Sequence, residues 1–418
     1  MSSTIHEIAL AARQASSAVA DLPGDVRNDV LVNLAGRLER QRARILDANS
    51  VDMENARSVG LDTPKLRRLE LTESGLTQLA EGLRQIAALP DPVGEVTRSY
   101  AVPSGLNVER VRTPLGVIAM IYEARPGVTI DAFALCFKSG NACLLKGGKE
   151  ALHSNEVLAE ITREALEAHG APAHAIQVIT TSSRDDLREL LTYSDEIDLV
   201  IPRGGESLIR FVHEHSRIPT IQHFKGVCHV YVDKDADLDK ALEIVVTGKT
   251  SAPATCNTTE CVLVHEEIAG RFVPMLADRC KSEGVEIRVD DRFAQAAGSQ
   301  AELTRAADSD WGCEFLDLIL AAKVVDGIDD AIAHIARHTS DHTEAIVTEN
   351  TTTAGDFCKR VRSSCVLVNA STRFNDGFQL GLGAELGIST SRLHAYGPMG
   401  LEGLTIERFV VRGNGQTR

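Results

Sequence analysis

The sequence is poor in aromatic residues, lacks long apolar runs and carries no excess of positive charge. Aromatic residues make up 4% of the 418 residues, with one tryptophan. No apolar run approaches the roughly 18 residues that a membrane span requires. The formal net charge of −15 argues against nonspecific nucleic-acid binding, which relies on basic surface. We therefore expect no membrane and no nucleic-acid partner, and anionic ligands must be held by local cationic groups and helix N-termini.

The cysteines indicate a reducing compartment. They number nine, an odd count, and they are scattered with no Cys-x-x-Cys pair, which does not fit a disulfide framework. The N-terminal residues include Glu7 and no basic segment, so they do not resemble a signal peptide. We expect a cytoplasmic protein.

The chain is longer than one ordinary hydrophobic core, so two or more domains are expected. Apolar residues recur at helical spacing through the first ninety residues, with a clear helix from Leu76 to Ala88. Asp47–Asn49 and Asp52 interrupt that pattern, and Gly60 with Pro64 predicts a loop.

Residues 98–112 change to polar and apolar alternation around Ser104-Gly105, which predicts a β-hairpin. Leu404–Val411 predicts a last edge strand. A hairpin between a helical region and the next strand has few local partners. We therefore expect it to pair with another chain.

From Gly116 onward, apolar strands alternate with helices. This rhythm predicts an α/β fold with a doubly wound, Rossmann-type layer, closed by His229–Val232, and then a second α/β section. The predicted strands are Val117–Ile121, Ala142–Leu145, Ile176–Ile179, Leu199–Ile201, Val262–Val264, Leu318–Val324, Glu344–Val347 and Val366–Val368.

Cys256 lies in the run Ser251-Ala-Pro-Ala-Thr-Cys-Asn-Thr-Thr-Glu260. Pro253 and the small residues around it predict a turn, which exposes the sulfur and aims backbone N–H groups at whatever it attacks. That arrangement suits acyl chemistry. From this run alone, a small buried hydrophobic cysteine is the alternative.

Two segments predict anion or cofactor contacts at the carboxyl ends of strands, where open parallel sheets bind ligands. Lys146 and Lys149 flank Gly147-Gly148 at a strand end and a helix start, and the alternative is a solvated loop. Arg203-Gly204-Gly205 joins a strand to a helix N-terminus, a potential anion cradle; the alternative is a plain turn. The G-x-G-x-x-G fingerprint is absent after the first strand.

Histidine pairs offer little evidence of a metal. His338 and His342 are four residues apart, and His213 and His215 are two apart. Neither pair has a cysteine or carboxylate partner at the spacing of a metal site. We expect no metal.

Taken together, these residues resemble the glutamate-5-semialdehyde dehydrogenase family, also called γ-glutamyl phosphate reductases, of the aldehyde dehydrogenase superfamily. The resemblance covers nearly the whole chain. The matching stretches are Pro114–Pro126, Lys138–Asn155, Asp198–Gly205, Val325–Ile346, Asn369–Phe374, Gly381–Thr390, His394 and Gly397–Gly400.

The resemblance implies a mechanism. Cys256 would attack a γ-acyl phosphate to form a thioester, and NADPH would deliver a hydride to give L-glutamate 5-semialdehyde. The resemblance also implies that the backbone N–H of Asn257 serves the oxyanion and that Glu314 binds a ribose. Lys146, Lys149 and Arg203–Gly205 would bind the cofactor. We expect Arg125 and Arg373 to bind the substrate carboxylate or phosphate, with a structural ion pair as the alternative.

Two departures from the wider superfamily carry physical meaning. His223-Phe-Lys-Gly226 replaces a motif containing a glutamate base, so water is not activated against the thioester. Lys149 replaces a glutamate that would repel a 2′-phosphate, which favours NADPH over NADH. Within the family pattern, Thr339 stands where glycine or serine is usual and Tyr396 where arginine is expected.

The resemblance also implies an organisation. The expected domains are an NADPH-binding domain of residues 1–97 and 113–225, a catalytic domain of residues 226–402, and an oligomerisation flap of residues 98–112 and 403–418. We expect a homo-oligomer, with association with glutamate 5-kinase as a hypothesis. The alternatives are another acylating or hydrolytic aldehyde dehydrogenase, or a non-catalytic member of the fold.

Overall fold

The computed structural model describes residues 4–181, 183–222, 224–298 and 303–418, and the chain divides into two compact units. The first unit comprises Met1–Gln222, Gly381–Gly387 and Leu393–Arg418, and the second comprises His223–Leu380 and Ile388–Arg392. No helix among the described residues is long and apolar enough to cross a membrane.

The helices and strands follow one another in this order. The helices are α1 Ile5–Ala20, α2 Gly24–Arg40, α3 Arg42–Ser58, α4 Thr63–Leu69, α5 Glu73–Ala88, α6 Gly127–Lys138, α7 Leu152–Ala168, α8 Arg184–Leu190, α9 Glu206–His215, α10 Leu238–Thr250, α11 Glu266–Ser282, α12 Asp291–Ala297, α13 Ile328–His338 and α14 Thr351–Arg360. The strands are β1 Val96–Ala101, β2 Asn107–Pro114, β3 Val117–Tyr122, β4 Ala142–Lys146, β5 Ile176–Val178, β6 Leu199–Arg203, β7 Cys228–Val232, β8 Thr259–His265, β9 Glu286–Val289, β10 Thr304–Arg305, β11 Ile319–Val325, β12 Thr343–Val347, β13 Cys365–Val368, β14 Ile388–Ser389, β15 Gly397–Pro398 and β16 Thr405–Arg412.

The first unit contains a parallel sheet with the strand order β5-β4-β3-β6. Strands β3 and β4 are buried along their whole length, which explains their continuous apolar sequence. The intervening helices pack their apolar faces against this sheet. The Rossmann-type layer predicted from the sequence is confirmed.

In the helical region one prediction is wrong and another holds only in part, since the predicted loop lies at Gly60, between α3 and α4. Helix α3 continues through Asn49 and Asp52, because both polar side chains are buried and bonded to other elements. The Asn49 amide donates to the Leu69 carbonyl at 2.9 Å, and Asp52 accepts from the backbone and hydroxyl of Ser154. Pro64 opens helix α4 behind the N-cap Asp62, where proline is tolerated.

The second unit contains a parallel sheet with the order β10-β9-β11-β8-β7-β12-β13. The sequence predicts that β7 closes the first α/β layer. Instead, β7 pairs with β8 and β12 and so belongs to this second sheet. The amino ends of β7, β8 and β12 carry the polar residues described below.

A third sheet is antiparallel, with the order β1-β2-β16. Gly105 has a φ of 82° at the turn of the β1–β2 hairpin, which favours glycine. Strand β16 pairs with β2 from Thr405 opposite Pro114 to Arg412 opposite Asn107. The predicted hairpin and the predicted last strand are both confirmed.

Candidate active site

Cys256 lies in the turn between α10 and β8, as its sequence predicts. The backbone N–H of Thr258 donates to the Thr255 carbonyl at 3.1 Å. The hydroxyls of Thr255 and Thr258 both donate to the Ala252 carbonyl, at 2.9 and 2.5 Å. The Ala252 carbonyl thus accepts hydrogen bonds from two side chains of the turn. Cys256 itself is partly exposed.

The Cys256 carbonyl is held at close range from two sides. The Cys228 thiol donates to it at 3.3 Å. Gly226 approaches so closely that an added Cβ would lie 1.9 Å from the Cys256 oxygen. Only glycine fits there, and the backbone position of Cys256 is fixed as a result.

Asn257 uses its side chain and its backbone differently. Its amide nitrogen donates to the Asn375 carbonyl at 3.0 Å, and its amide oxygen lies 3.0 Å from the Thr255 hydroxyl. No residue that the structure describes accepts a hydrogen bond from the Asn257 backbone N–H. That donor remains available for an oxyanion, which is the predicted role.

Of the two arginines predicted to bind substrate, Arg373 lies beside the nucleophile turn. Its guanidinium donates to the Thr255 hydroxyl at 2.7 Å, and its Nε atom is buried without a partner among the described residues. Arg125 is exposed in the first unit, between β3 and α6. Their roles in binding stay predictions.

A buried ion pair next to the nucleophile turn is not evident from the sequence. Lys249, near the end of α10, donates to Glu260 in β8 at 2.6 Å, and both side chains are almost fully buried. Burial raises the pKa of Glu260 to about 7, and Lys249 opposes that rise. Glu260 stands four residues after Cys256, but no local pattern reveals its partner seven residues before the cysteine.

The predicted lysines do lie at a strand end and a helix start. Lys146 ends β4, donates to the Thr181 carbonyl at 2.8 Å, and has its pKa lowered by burial. Lys149 is exposed and begins a short 3₁₀ helix. Between the two lysines, Gly147 and Gly148 leave the backbone without side chains. No side chain would fit at either position, since an added Cβ would overlap a neighbouring atom. A bare turn with an exposed cation fits a dinucleotide phosphate.

The helix N-terminus at Gly205 already has an anionic partner. The Gly205 backbone N–H donates to the Glu123 carboxylate at 3.0 Å, and a Cβ on Gly204 would lie 2.8 Å from the same side chain. Arg203 donates to the Leu386 carbonyl at 2.5 Å. The predicted anion cradle is thus filled by a carboxylate, while its role toward a cofactor stays a prediction.

Glu314 lies in the second unit, apart in the chain from the other predicted cofactor residues. Its carboxylate accepts from the Gly226 backbone N–H at 2.8 Å. Glu314 therefore holds the glycine that approaches Cys256. The structure gives it a positioning contact that the sequence did not suggest, and ribose binding stays a prediction.

Of the three remaining departures from the superfamily and family patterns, the structure describes Thr339 and Tyr396. His223 lies outside the described residues. The Thr339 hydroxyl donates to Glu344 at 2.5 Å, so the departure at this position is accommodated by an internal hydrogen bond. Tyr396 lies in the returning segment of the first unit.

The chain is similar to known reductases over its full length. Residues 2–303 match the model of the aldehyde dehydrogenase family. Gamma-glutamyl phosphate reductase of Xanthomonas campestris pv. campestris (strain 8004) is 50% identical over 415 residues, which cover 99% of this chain and 100% of that protein. The protein of the same name from Geobacter metallireducens is also 50% identical, with 99% and 98% covered.

Solved structures agree with this similarity. The crystal structure of gamma-glutamyl phosphate reductase from Thermotoga maritima has a TM-score of 0.96 and 39% identity, with 100% of both chains covered. Glyceraldehyde-3-phosphate dehydrogenase from Methanocaldococcus jannaschii, complexed with NADP, has a TM-score of 0.65 and 16% identity, with 98% and 94% covered. The second similarity shows the shared fold.

Proposed function

Because the chain belongs to the gamma-glutamyl phosphate reductases of the aldehyde dehydrogenase family, we propose that Cys256 is its nucleophile. The reaction is the reduction of L-glutamyl 5-phosphate to L-glutamate 5-semialdehyde and phosphate, the second step of L-proline biosynthesis from glutamate. A nicotinamide cofactor supplies the hydride. The chain's own residues hold the acyl group.

In the proposed sequence, the Cys256 sulfur attacks the γ-carbonyl carbon and phosphate leaves, giving a thioester. Hydride addition converts the thioester to a thiohemiacetal, which collapses to the aldehyde and restores the thiol. The Asn257 N–H stabilises the oxygen that becomes negative at each addition step. The observation that carries this proposal is the turn itself, with Cys256 fixed through its carbonyl and the neighbouring N–H available.

The fate of the thioester follows from residues 223–226. His223-Phe-Lys-Gly226 contains no carboxylate that could activate water, so the thioester awaits hydride or phosphate. This favours a reductase over a hydrolytic aldehyde dehydrogenase.

The nucleophile is tested by Cys256→Ala, with Cys358→Ala as the matched control on an exposed thiol of α14. The assay follows NADP⁺ reduction with glutamate semialdehyde and phosphate. We expect Cys256→Ala to lose activity by at least about a thousandfold and Cys358→Ala to keep it. Wild-type activity in Cys256→Ala would refute the assignment.

We propose that NADPH is preferred over NADH because the exposed ammonium of Lys149 attracts a 2′-phosphate. Lys149→Glu is expected to lower the NADPH/NADH ratio of kcat/KM by roughly tenfold or more. Lys359→Glu, another exposed lysine with the same charge change, controls for net charge. An unchanged ratio in Lys149→Glu would remove this residue from the site.

We propose that Arg373 binds the carboxylate or phosphate of the substrate. Its guanidinium donates a hydrogen bond to Thr255, the residue that precedes Cys256 in the turn. Arg373→Ala is expected to raise KM by about tenfold or more, while Arg305→Ala, an exposed arginine of β10, leaves KM unchanged. An unchanged KM in Arg373→Ala would eliminate this role. Arg125 is tested in the same way.

We further propose a cytoplasmic homo-oligomer. The first unit then serves as the cofactor domain, the second as the catalytic domain, and the β1-β2-β16 sheet as the oligomerisation flap. The exposed apolar residues of that sheet support this assignment. Association with glutamate 5-kinase, which would protect the labile acyl phosphate, is tested by co-sedimentation.

A further inference from the structure

Three metal-ligating side chains meet on one face of the second sheet, away from any role assigned above. His229 in β7 stands directly opposite Cys261 in β8, and His334 on α13 completes the group. Their ligand atoms all lie within 4.8 Å of one another. The three residues are 0%, 1% and 5% exposed.

The hydrogen bonds of His229 leave one nitrogen directed into this cluster. Its Nδ1 atom lies 2.9 Å from the Glu344 carboxylate, which also accepts from the His229 backbone N–H at 2.9 Å. An ionised carboxylate at Nδ1 requires the proton there, so Nε2 carries the lone pair. Nε2 is buried and has no hydrogen-bond partner in the described part of the chain.

Such an arrangement is costly without a ligand. A buried acceptor with no partner has lost its hydrogen bonds to water and gained none in the protein. The second contact in the cluster does little to offset this, since the Cys261 sulfur and the His334 Nε2 atom are 3.9 Å apart. A carboxylate that orients the far nitrogen of a histidine is also the common support of metal-bound imidazoles.

We propose that His229 Nε2, Cys261 Sγ and His334 Nε2 bind a divalent transition-metal cation, with Zn²⁺ as the best match. One thiolate and two imidazoles form a soft nitrogen and sulfur set, which suits Zn²⁺ and does not suit Mg²⁺ or Ca²⁺. Bonds of about 2.0–2.3 Å require the three ligand atoms to move together by roughly 1 Å, which side-chain rotation supplies.

Three protein ligands leave a fourth position. A cavity of about 430 Å³ adjoins His334 and is lined by Trp311, Lys323, Asp330 and His338 among others, so water can reach the group. The ring centroid of His338 lies 4.6 Å from that of His334, which places a further imidazole beside the site.

The charges of the site balance when the cysteine is ionised. Binding releases the Cys261 thiol proton to solvent, which leaves a thiolate, two neutral imidazoles and the dication. Their net charge of about +1 is offset by the Glu344 carboxylate behind His229. One proton released per metal ion is therefore part of the proposal.

The bound metal would fasten three elements of the second unit. It joins β7, β8 and α13, and His229 is adjacent to Cys228, whose thiol holds the Cys256 carbonyl. The site therefore holds together the amino-terminal parts of β7 and β8, two central strands of the sheet, next to the nucleophile turn. It acts by positioning and takes no part in the reaction.

The test uses Co²⁺ and Zn²⁺ with chelator-stripped protein carrying Cys256→Ser, which removes the nucleophile thiol as a competing ligand. We expect one equivalent of Co²⁺ with thiolate-to-cobalt charge-transfer absorption and one proton released. Zn²⁺ at about a hundredfold excess over its dissociation constant should raise Tm by about 5 °C.

The variants Cys261→Ala and His334→Gln should lose the absorption and the Tm shift. Cys280→Ala, a cysteine of α11 that is equally buried, should keep both and is the matched control. Retention of the absorption in Cys261→Ala would overturn the proposal. If Cys261→Ala does not fold, the Cys256→Ser protein alone provides the test. Loss of all Co²⁺ from that protein during gel filtration would also overturn the proposal.

Discussion

Gly226 shows at the scale of one residue how the nucleophile is held. An added Cβ would lie 1.9 Å from the Cys256 carbonyl oxygen, so Gly226→Ala must displace the turn. We expect kcat to fall by roughly a hundredfold, because displacements of about 1 Å have effects of this size. Steady-state kinetics measure it.

Gly355→Ala is the control for this substitution. Gly355 lies in α14, and an added Cβ there meets nothing within 4 Å. We expect unchanged kcat and a gain of about 0.5–1 kcal/mol in the free energy of unfolding. A Gly226→Ala enzyme with wild-type kcat would show that the carbonyl contact does not position Cys256.

Asp131 on α6 gives the protein a pH dependence of stability. Burial raises its pKa from 3.8 to about 6, with Arg203 opposing the rise. Between these values the folded state holds a proton that the unfolded state has lost, so this contribution to stability is lost as pH rises from about 4 to about 6.

Asp131→Asn should therefore stabilise the protein at neutral pH and leave it nearly unchanged below pH ~4. Because Asp131 keeps partial exposure to solvent, we expect a gain of only about 1 kcal/mol. Thermal unfolding of both proteins across this pH range measures the difference. A Tm difference independent of pH would contradict the prediction.

At the scale of single residues, the sequence predicts the position of a side chain when the neighbouring residues in the chain determine it. It predicted Cys256 in a turn, and Lys146 and Lys149 at the ends of their elements. It did not show Gly226 against Cys256, Lys249 against Glu260, or His229 against Cys261 and His334. Each of these contacts joins segments whose approach is set by strand register and helix packing.

At the scale of elements, the buried pair of Lys249 and Glu260 joins the end of α10 to the start of β8. Lys249→Met leaves the carboxylate buried without its counter-charge, which should destabilise the protein by about 3–5 kcal/mol at neutral pH. The loss should shrink as pH falls from about 7 toward about 4.5, because the buried Glu260, with its pKa raised to about 7, then takes up a proton in the folded state. Chemical denaturation measures both.

The double variant Lys249→Met with Glu260→Gln should recover part of this loss, because no buried charge remains. A double variant less stable than Lys249→Met would indicate that Glu260 has another essential contact. Its bond from the Leu316 backbone N–H, at 3.4 Å, is the one to examine.

Apolar periodicity predicted the elements themselves well. The strands of the first sheet and the helices between them follow continuous or helical apolar patterns, and these were located closely. The errors fell at α3 and α4, where Asn49, Asp52 and Pro64 looked like breakers. Their side chains find partners on other elements or occupy a helix start, and single-segment patterns do not contain that information.

At the scale of the whole molecule, the antiparallel sheet offers an apolar surface. Phe409 and Val411 lie on one face of β16 and are 60% and 52% exposed, with Arg110 stacked on the Phe409 ring. Replacing Phe409 and Val411 with lysine should dissociate the proposed oligomer, because burial of apolar surface is its main driving force.

Sedimentation velocity measures this dissociation. Val59→Lys, at a position 76% exposed in the first unit, is the control and should leave the sedimentation coefficient unchanged. A wild-type coefficient equal to that of a monomer would refute the flap assignment.

The division into units also shows a limit of the sequence. The chain returns to the first unit at Gly381–Gly387 and Leu393–Arg418, whereas the expected catalytic domain ran without interruption to residue 402. A linear sequence gives no signal of such a return, since it depends on which core each segment packs against.

The carboxylate of Glu123 at the start of α9 has a consequence for affinity. A phosphate that binds the Gly205 N–H must exchange with this side chain, so the binding free energy reports the difference between two anions. Glu123→Gln should therefore tighten the binding of phosphate-bearing ligands, because it removes the competing negative charge. The Glu123 carboxylate would thus act as an internal competitor for any phosphate at the Gly205 N–H.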